Sequence, residues 1–309
     1  MAAAQCGRTQ IALPEAFRAR DILSFHRRDA QQIAERVDEH GFRKALMWAG
    51  RPASIALHFT ATRVELDFRV DLRPGEPPPG AADLAEAETM VRRMLGLLQP
   101  VEAFEAAFAN HAQLGPVIAA NHGLRVPQTA TPFEALVWAI TGQQISLHAA
   151  VSLRRALIRA AGAPHSSGLL CFPDAASVLA VDAEALRAGG FSRAKAATIL
   201  ALAQAVVDED LPLQRWVQAP SPPVDEIRER LLHIRGIGPW TVNYALLRGF
   251  SWLDGSLHGD VAVRRGLQNL LGRAERVDEA ETQRWLAPFS PWRALVAAHL
   301  WTLAAKPAP

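Results

Sequence analysis

The sequence predicts a mainly α-helical protein carrying a small α+β unit at its N-terminus. Three observations carry this expectation. A strictly alternating run from Val64 to Asp71 reads as a strand. Beyond Pro100 the apolar pattern is helical to the end of the chain. Between the two lies a loop, Arg73 to Gly80, with four prolines and two glycines.

In the alternating run, Val64, Leu66, Phe68 and Val70 face one way and Glu65, Asp67, Arg69 and Asp71 the other, the mark of a half-buried antiparallel strand. Phe42 to Trp48 is a second strand, followed by a turn at Ala49-Gly50-Arg51-Pro52 and a third strand from Ser54 to Thr60. Asp29 to His40 reads as a helix ending near Gly41. After the proline-rich loop a helix is expected over Ala82 to Leu98, with Met90, Val91, Met94, Leu95 and Leu98 on one face. Thr131-Pro132 opens a helix with proline in its first turn, and its stripe includes Phe133, Leu136, Val137 and Ile140. Ser192 caps another, running to about Val207. Pro220, Pro222 and Pro223 break the chain before Val224. The expected division is an α+β domain over 1–112 and a helical domain over 113–309.

The chain has 309 residues, half of them apolar, which suits two or three modules with real cores. No run approaches the ~18 uncharged apolar residues that a membrane helix needs. Met1 to Gln10 has no apolar stretch of the kind a secretory signal requires. Cys6, expected in a loose tail, and Cys171 are the only cysteines, so neither a disulfide framework nor a cysteine-ligated iron–sulfur cluster is expected. The ten histidines show no metal-ligand spacing. These readings point to a cytoplasmic protein with no membrane partner and no metal. The net charge of +2 says little, but from Leu231 to Arg273 five arginines (Arg235, Arg248, Arg264, Arg265, Arg273) face only Asp254 and Asp260. That patch is compatible with phosphate contacts or with an ordinary solvated surface.

The strongest local signal is Leu231-Leu232-His233-Ile234-Arg235-Gly236-Ile237-Gly238-Pro239-Trp240-Thr241. One helix ends near His233. Gly236 and Gly238 permit a tight turn and close backbone approach, and Pro239 starts a second helix at once. Such a turn points amide N–H groups and a positive helix end outward, which binds phosphate without reading sequence. A Gly-x-Gly alone would equally be a plain helix–helix turn; the flanking helices and the Trp-Thr after the proline make the run specific. Asp260, 24 positions after Gly236, precedes a helix over Val261 to Leu271 that Gly272 ends, and is at least its N-cap.

This combination resembles the helix-hairpin-helix (HhH-GPD) DNA glycosylase superfamily, and within it the AlkA, or 3-methyladenine DNA glycosylase II, group. The matching segments are Phe133-Glu134-Ala135-Leu136 with Gly142-Gln143-Gln144-Ile145-Ser146, Ser192-Arg193-Ala194-Lys195-Ala196, Trp240-Thr241-Val242-Asn243-Tyr244, Gly259-Asp260 and Pro291-Trp292-Arg293. The likeness is good over Thr131 to Trp301 and weak in the α+β third. It implies a two-lobed helical core with its hairpin motif over 224–248, beside a small antiparallel sheet. It also implies a monofunctional enzyme of base excision repair that flips a damaged base from double-stranded DNA and hydrolyses the N-glycosidic bond of alkylated purines of the 3-methyladenine type.

In that chemistry loss of the base leaves positive charge on the sugar, and a fixed carboxylate stabilises it. The resemblance gives this part to Asp260, whose place at a helix start favours the ionised form. Glycosidases commonly add a second carboxyl group to protonate the leaving group; an N-alkylated purine is already cationic and leaves without it. Bifunctional glycosylase/lyase relatives carry a Schiff-base lysine where this chain has Trp240, which forms no imine, so no lyase step is expected. Trp240, Tyr244 and Trp292 are the aromatic candidates for the base pocket, with Phe25 as a further wall; core packing is the alternative for each. Gln144 and Ile145 are candidates to fill the vacated base stack, unless Ile145 belongs to a helix core. Arg235, Gly236, Gly238 and Thr241 are expected at the DNA backbone. Two departures stand out: Arg235 replaces the group's usual proline, and Val261 follows Asp260 where the group has an aromatic residue. His258 lies near Asp260 and reads as a structural or solvated loop histidine. No organic cofactor is implied, though the hairpin carbonyls suit a monovalent cation, and a monomer is expected. Other lesion classes, oxidised or deaminated bases, and a non-catalytic DNA-binding protein are the competing readings.

Overall fold

The computed structural model describes residues 5–304. Five antiparallel strands open the chain: β1 (Gln5–Ala12), β2 (Glu35–Val37), β3 (Gly41–Trp48), β4 (Arg51–Phe59) and β5 (Arg63–Val70), in the spatial order β1-β5-β4-β3-β2. The backbone of Cys6 therefore lies in an edge strand, opposite Arg69, rather than in a loose tail. Ala49 and Gly50 both take positive φ, which sets the tight turn between β3 and β4, and Arg51 and Pro52 already belong to β4. The alternating face of β5 is buried as its pattern requires: Val64, Leu66, Phe68 and Val70 are at most 1% exposed. They pack with Ile11, Ile55 and the apolar face of α2 (Ala81–Met94).

Two local expectations fail for identifiable reasons. The span Asp29 to His40 is a turn and a short strand, not a helix. Asp29 turns its carboxylate onto the amides of Gln31 (3.0 Å) and Ile33 (3.3 Å), and Glu35–Val37 then pairs with the edge of β3. Edge pairing with alternate burial outweighs helix propensity here. The helix of this region lies upstream, α1 (Ala19–His26), which buries Ile22, Leu23 and His26. The second failure is at the end of α2. Gly96, at φ +69°, closes the helix by donating to the Arg93 carbonyl while Leu97 donates to that of Arg92. Leu98 falls outside the helix and is exposed.

The rest is helical: α3 (Val101–Phe108), α4 (Leu114–Ala120), α5 (Pro132–Gly142), α6 (Leu147–Ala161), α7 (Ala175–Leu179), α8 (Ala183–Ala188), α9 (Arg193–Val207), α10 (Leu213–Gln218), α11 (Val224–Leu232), α12 (Pro239–Phe250), α13 (Val261–Leu270), α14 (Glu279–Leu286) and α15 (Arg293–Ala304). The starts of α5, α9 and α11 fall where the prolines and Ser192 put them; Thr131 and Ser192 accept from the amides of Glu134 and Lys195. There are two helical lobes. One core gathers Leu136, Ile140, Ile199, Leu202, Ile227 and Leu246; the other gathers Phe104, Leu114, Leu247, Val263, Leu267 and Leu295. Helices α5 and α12 contribute to both, so they form the wall between the lobes.

A buried ionic cluster joins the sheet to the helices. Lys44 is fully buried on the same face of β3 as Phe42 and Leu46, and its Nζ donates to Glu35 (2.6 Å) and to Glu134 of α5 (2.7 Å). Arg154 of α6 bonds Glu134 at 2.9 Å, and His26 meets Glu35 at 3.1 Å. Burial alone would raise the Glu35 carboxyl, but Arg154 and Lys44 overcome it and hold it well below the usual range. Burial pushes His26 down, despite its Glu35 contact.

His299 of α15 is wholly buried with both ring nitrogens unpartnered, and burial, with some help from Arg18, pushes it down to about 4. Between pH 6.5 and 4 the unfolded chain takes up a proton that folded His299 refuses. Stability is therefore full above pH 6.5 and falls towards pH 4, by on the order of 3 kcal/mol from this group. Urea unfolding at pH 7, 5.5 and 4 should show that loss, and His299→Leu should flatten it; an unchanged slope in that variant would place the acid sensitivity elsewhere.

Candidate active site

Asp260 is the N-cap of α13. Its Oδ1 accepts from the backbone amides of Ala262 (2.9 Å) and Val263 (3.1 Å), two of the donors that a helix start leaves free. The Trp301 indole of α15 donates to the same oxygen (3.3 Å), and the Trp240 indole of α12 donates to Oδ2 (3.1 Å). Four N–H groups from three helices converge on one carboxylate. Among the described residues no arginine, lysine or histidine lies within ion-pair distance of it. The negative charge is thus fixed in place without a direct ion pair, and buried Arg248 feels it only at longer range.

A cavity of about 650 Å³ opens beside this carboxylate, walled by Phe25, Trp138, Tyr244 and Trp301. Trp240 and Tyr244, one turn apart on α12, lie with ring centroids 5.3 Å apart. The Tyr244 hydroxyl accepts from the Trp138 indole at 3.0 Å. Trp292 is not in this wall. It precedes α15 and packs on Phe104 in the second core, at 6.0 Å between ring centroids, and Trp301 takes the place expected of it. Composition does not separate these two tryptophans; only the phase of α15 does.

Arg248, also on α12, is buried under the aromatic wall. Its Nη1 donates to the Pro127 carbonyl (2.6 Å), and its guanidinium lies 5.0 Å from the Phe25 ring centroid and 5.1 Å from that of Trp301. Burial pushes it down to about 10, still charged at neutral pH.

The hairpin forms as its residues dictate. Gly236 sits at φ +95°, and a Cβ there would fall 2.2 Å from the Thr198 hydroxyl, which donates to the Arg235 carbonyl (3.0 Å). Gly238 is the extended N-cap of α12 and faces open space. The first intrahelical bond of α12 is from Val242 to Gly238, so the amides of Trp240 and Thr241 precede it at the positive helix end. Arg235 is exposed at the turn. The Thr241 side chain turns inward, where its hydroxyl accepts from Gln143 Nε2 (2.9 Å), so only its backbone amide faces the hairpin end. That same amide donates to the Gly236 carbonyl (2.9 Å), and Lys195 Nζ donates to the carbonyls of Thr141 and Gln143. Gln143 and Lys195, which the sequence reading gave no part, therefore tie the α5–α6 loop to the hairpin.

Beyond this tie the loop projects. Gln144 is exposed at φ +57°, and Ile145 and Leu147 are 38% and 57% exposed at the mouth of the cavity. Core packing is thereby excluded for Ile145. Val261, beside Asp260, is 70% exposed. His258 is held by Ser256 (2.8 Å) and faces Glu279, away from the Asp260 carboxylate's four partners. No group of histidines, cysteines and acidic residues suited to a metal ion occurs among the described residues, and none of their helices is long and apolar enough to cross a membrane.

The sequence model of the HhH-GPD superfamily of base excision DNA repair proteins matches residues 137–291. The chain belongs to that superfamily. The AlkA N-terminal domain model matches residues 9–131, which contain the sheet. The chain is 30% identical over 233 residues to a "probable bifunctional transcriptional activator/DNA repair enzyme AlkA" of Mycobacterium tuberculosis, covering 73% of this chain and 44% of that protein. It is 30% identical over 190 residues to the DNA-3-methyladenine glycosylase 2 of Escherichia coli, covering 61% of this chain and 63% of that one. The chain thus spans about half the length of these curated relatives. Among solved structures, the 3-methyladenine DNA-glycosylase from Archaeoglobus fulgidus superposes with a TM-score of 0.79 at 20% identity, over 96% of this chain and 98% of that one. An 8-oxoguanine glycosylase/lyase of Clostridium acetobutylicum bound to double-stranded DNA gives 0.70 at 14% identity, over 98% and 97%. At these identities the likenesses establish the fold: the HhH-GPD architecture with a sheet domain in front.

The hairpin makes a local test of its own geometry. Gly236→Ala meets both a left-handed φ and Thr198, and should cost about 2 kcal/mol or more in urea unfolding. Gly238→Ala meets neither and should cost under about 1 kcal/mol. Equal costs at the two positions would contradict the packing described.

Proposed function

We propose that the protein is a monofunctional DNA glycosylase that flips alkylated purines of the 3-methyladenine type out of duplex DNA and hydrolyses their N-glycosidic bond. The observation that carries this reading is the Asp260 carboxylate, fixed by four N–H donors, unpaired with any cation and open to an aromatic cavity. The hairpin amides take the DNA backbone, with Arg235 beside them. The exposed loop of Gln144 and Ile145 fills the gap in the stack, and the flipped base lies in the cavity against Tyr244, Trp301, Trp138 and Phe25.

The bond between sugar C1′ and the base nitrogen then breaks, and its electron pair leaves with the base. A cationic purine becomes neutral on leaving, so no acid is needed to protonate it. The other carboxylate at the cavity rim, Asp21, is already paired with Arg18. The sugar is left electron-poor, and the fixed charge of Asp260 beside it stabilises it. Water adds to C1′ on the face that Asp260 controls and loses a proton. Trp240 stands where lyase relatives hold lysine, and among the described residues no lysine lines the cavity. The strand therefore stays intact. The reaction needs no organic cofactor. The hairpin carbonyls of Arg235 and Gly236 accept one protein hydrogen bond each and keep a second lone pair for a monovalent cation. The working unit is a monomer on damaged double-stranded DNA.

Methylated duplex DNA should release free alkylpurine with the wild type. Asp260→Asn keeps the cap at Oδ1 but sets an amide N–H against the Trp240 indole and removes the charge; release should fall at least 1,000-fold while duplex binding persists. Near-normal release by that variant would move catalysis elsewhere.

The products provide a second test. The strand should break only after alkali or an added endonuclease. A covalent enzyme–DNA adduct trapped by borohydride would contradict the monofunctional assignment.

A further inference from the structure

Arg28 lies just beyond α1, in the segment that delivers Phe25 to the cavity. Arg27, the residue before it, donates to the Asp38 carbonyl. Arg28 forms no hydrogen bond or ion pair among the described residues. It is exposed, free to extend into water, and yet its guanidinium lies across two rings of the cavity, 4.4 Å from the centroid of Phe25 and 5.8 Å from that of Trp138. Like-charge repulsion opposes this pose, because buried Arg248 also lies over the Phe25 ring, at 5.0 Å. The attraction of the ring faces for a cation favours it, as do the carboxylates of Asp29, Glu35 and Glu134, which line a smaller cavity with Arg28.

A cationic base would use the same attraction and the same rings. We propose that Arg28 is a place-holder and a specificity-determining residue: its guanidinium occupies, in the free protein, the ring faces that a flipped cationic base takes over. This rests on the glycosylase reading of the site. A positively charged base must displace Arg28 from those faces or meet its charge, so Arg28 handicaps cationic bases more than neutral ones. Swung out, Arg28 stands at the cavity mouth near Ile145 and Leu147, where a DNA phosphate gives it the anionic partner it lacks in the free protein.

The test compares single-turnover release of cationic 7-methylguanine and neutral hypoxanthine from otherwise identical duplexes. Arg28→Ala should raise the ratio of the two rates about two- to fivefold, and Arg28→Lys, which keeps a cation, should leave it at the wild-type value. Loss of a phosphate contact changes both rates alike and leaves the ratio unmoved. An unchanged ratio in Arg28→Ala, or the same rise in Arg28→Lys, overturns the proposal. A second measurement needs no turnover: titration of 7-methylguanosine and guanosine followed by tryptophan fluorescence. Arg28→Ala should bind the methylated nucleoside more tightly than wild type by a similar factor and guanosine no better. If the wild type releases neither base, the glycosylase reading fails and this titration alone decides. No difference between wild type and Arg28→Ala, including no binding by either, overturns the place-holder.

Discussion

The structure is organised around one constraint: a carboxylate is held at an aromatic-walled cavity by neutral donors, with no ion pair to it among the described residues. Removing a charge from water costs several kcal/mol unless hydrogen bonds replace the lost hydration. Asp260 obtains those bonds from the start of its own helix and from two indoles. Neutral donors hold the charge without cancelling it, as a salt bridge would. Because the donors come from α12, α13 and α15, those helices must keep a fixed relation. Gly266 shows how closely they are set: a Cβ there would fall 2.1 Å from the Leu300 carbonyl, so α13 and α15 touch backbone to backbone. That contact places Trp301, the next residue along, against Asp260. Substitutions in this packing would therefore reach the site without touching it.

The remaining pieces are held to the same frame by polar contacts. Gln143 links the α5–α6 loop to the hairpin through the Gly236 carbonyl and the Thr241 hydroxyl. One side chain thus ties the α5–α6 loop directly to the hairpin turn. The sheet domain is fixed through Lys44, Glu35, Glu134 and Arg154, and His26 of this cluster adjoins Phe25 in α1. Such a buried network adds little net stability over apolar packing. Its directional bonds set where α1 sits on α5, and so where Phe25 and Arg28 meet the cavity.

Much of this was legible in the sequence because it is local. Alternation marked β5, prolines and a serine marked the starts of α5, α9 and α11, and two glycines before a proline marked the hairpin. Asp260 was legible as a helix cap at a set distance from that hairpin. The failures are contacts between distant segments. Asp29 to His40 has residues that suit a helix, and only the open edge of β3 makes part of it a strand. Trp301 and Trp292 look alike until α15 is given a phase against α13. The inward turn of the Thr241 hydroxyl is of the same kind, since its partner, Gln143, is 98 residues away. Nothing local marks Lys44 as a buried charge, because its partner Glu134 is 90 residues on. Pattern assigns elements, but polar side chains that turn inward are placed by the fold.

The central claim is that Asp260 stabilises positive charge on the sugar. Duplexes carrying an abasic-site analogue test it directly. A pyrrolidine ring with a protonated nitrogen mimics the electron-poor sugar, and a tetrahydrofuran ring of the same size is neutral. A site built for the transition state binds the charged analogue far more tightly. The account predicts a preference of at least 100-fold for the pyrrolidine duplex in the wild type, and its near disappearance in Asp260→Asn with tetrahydrofuran binding retained. Equal binding of the two analogues by the wild type, or a preference that survives in Asp260→Asn, would contradict it.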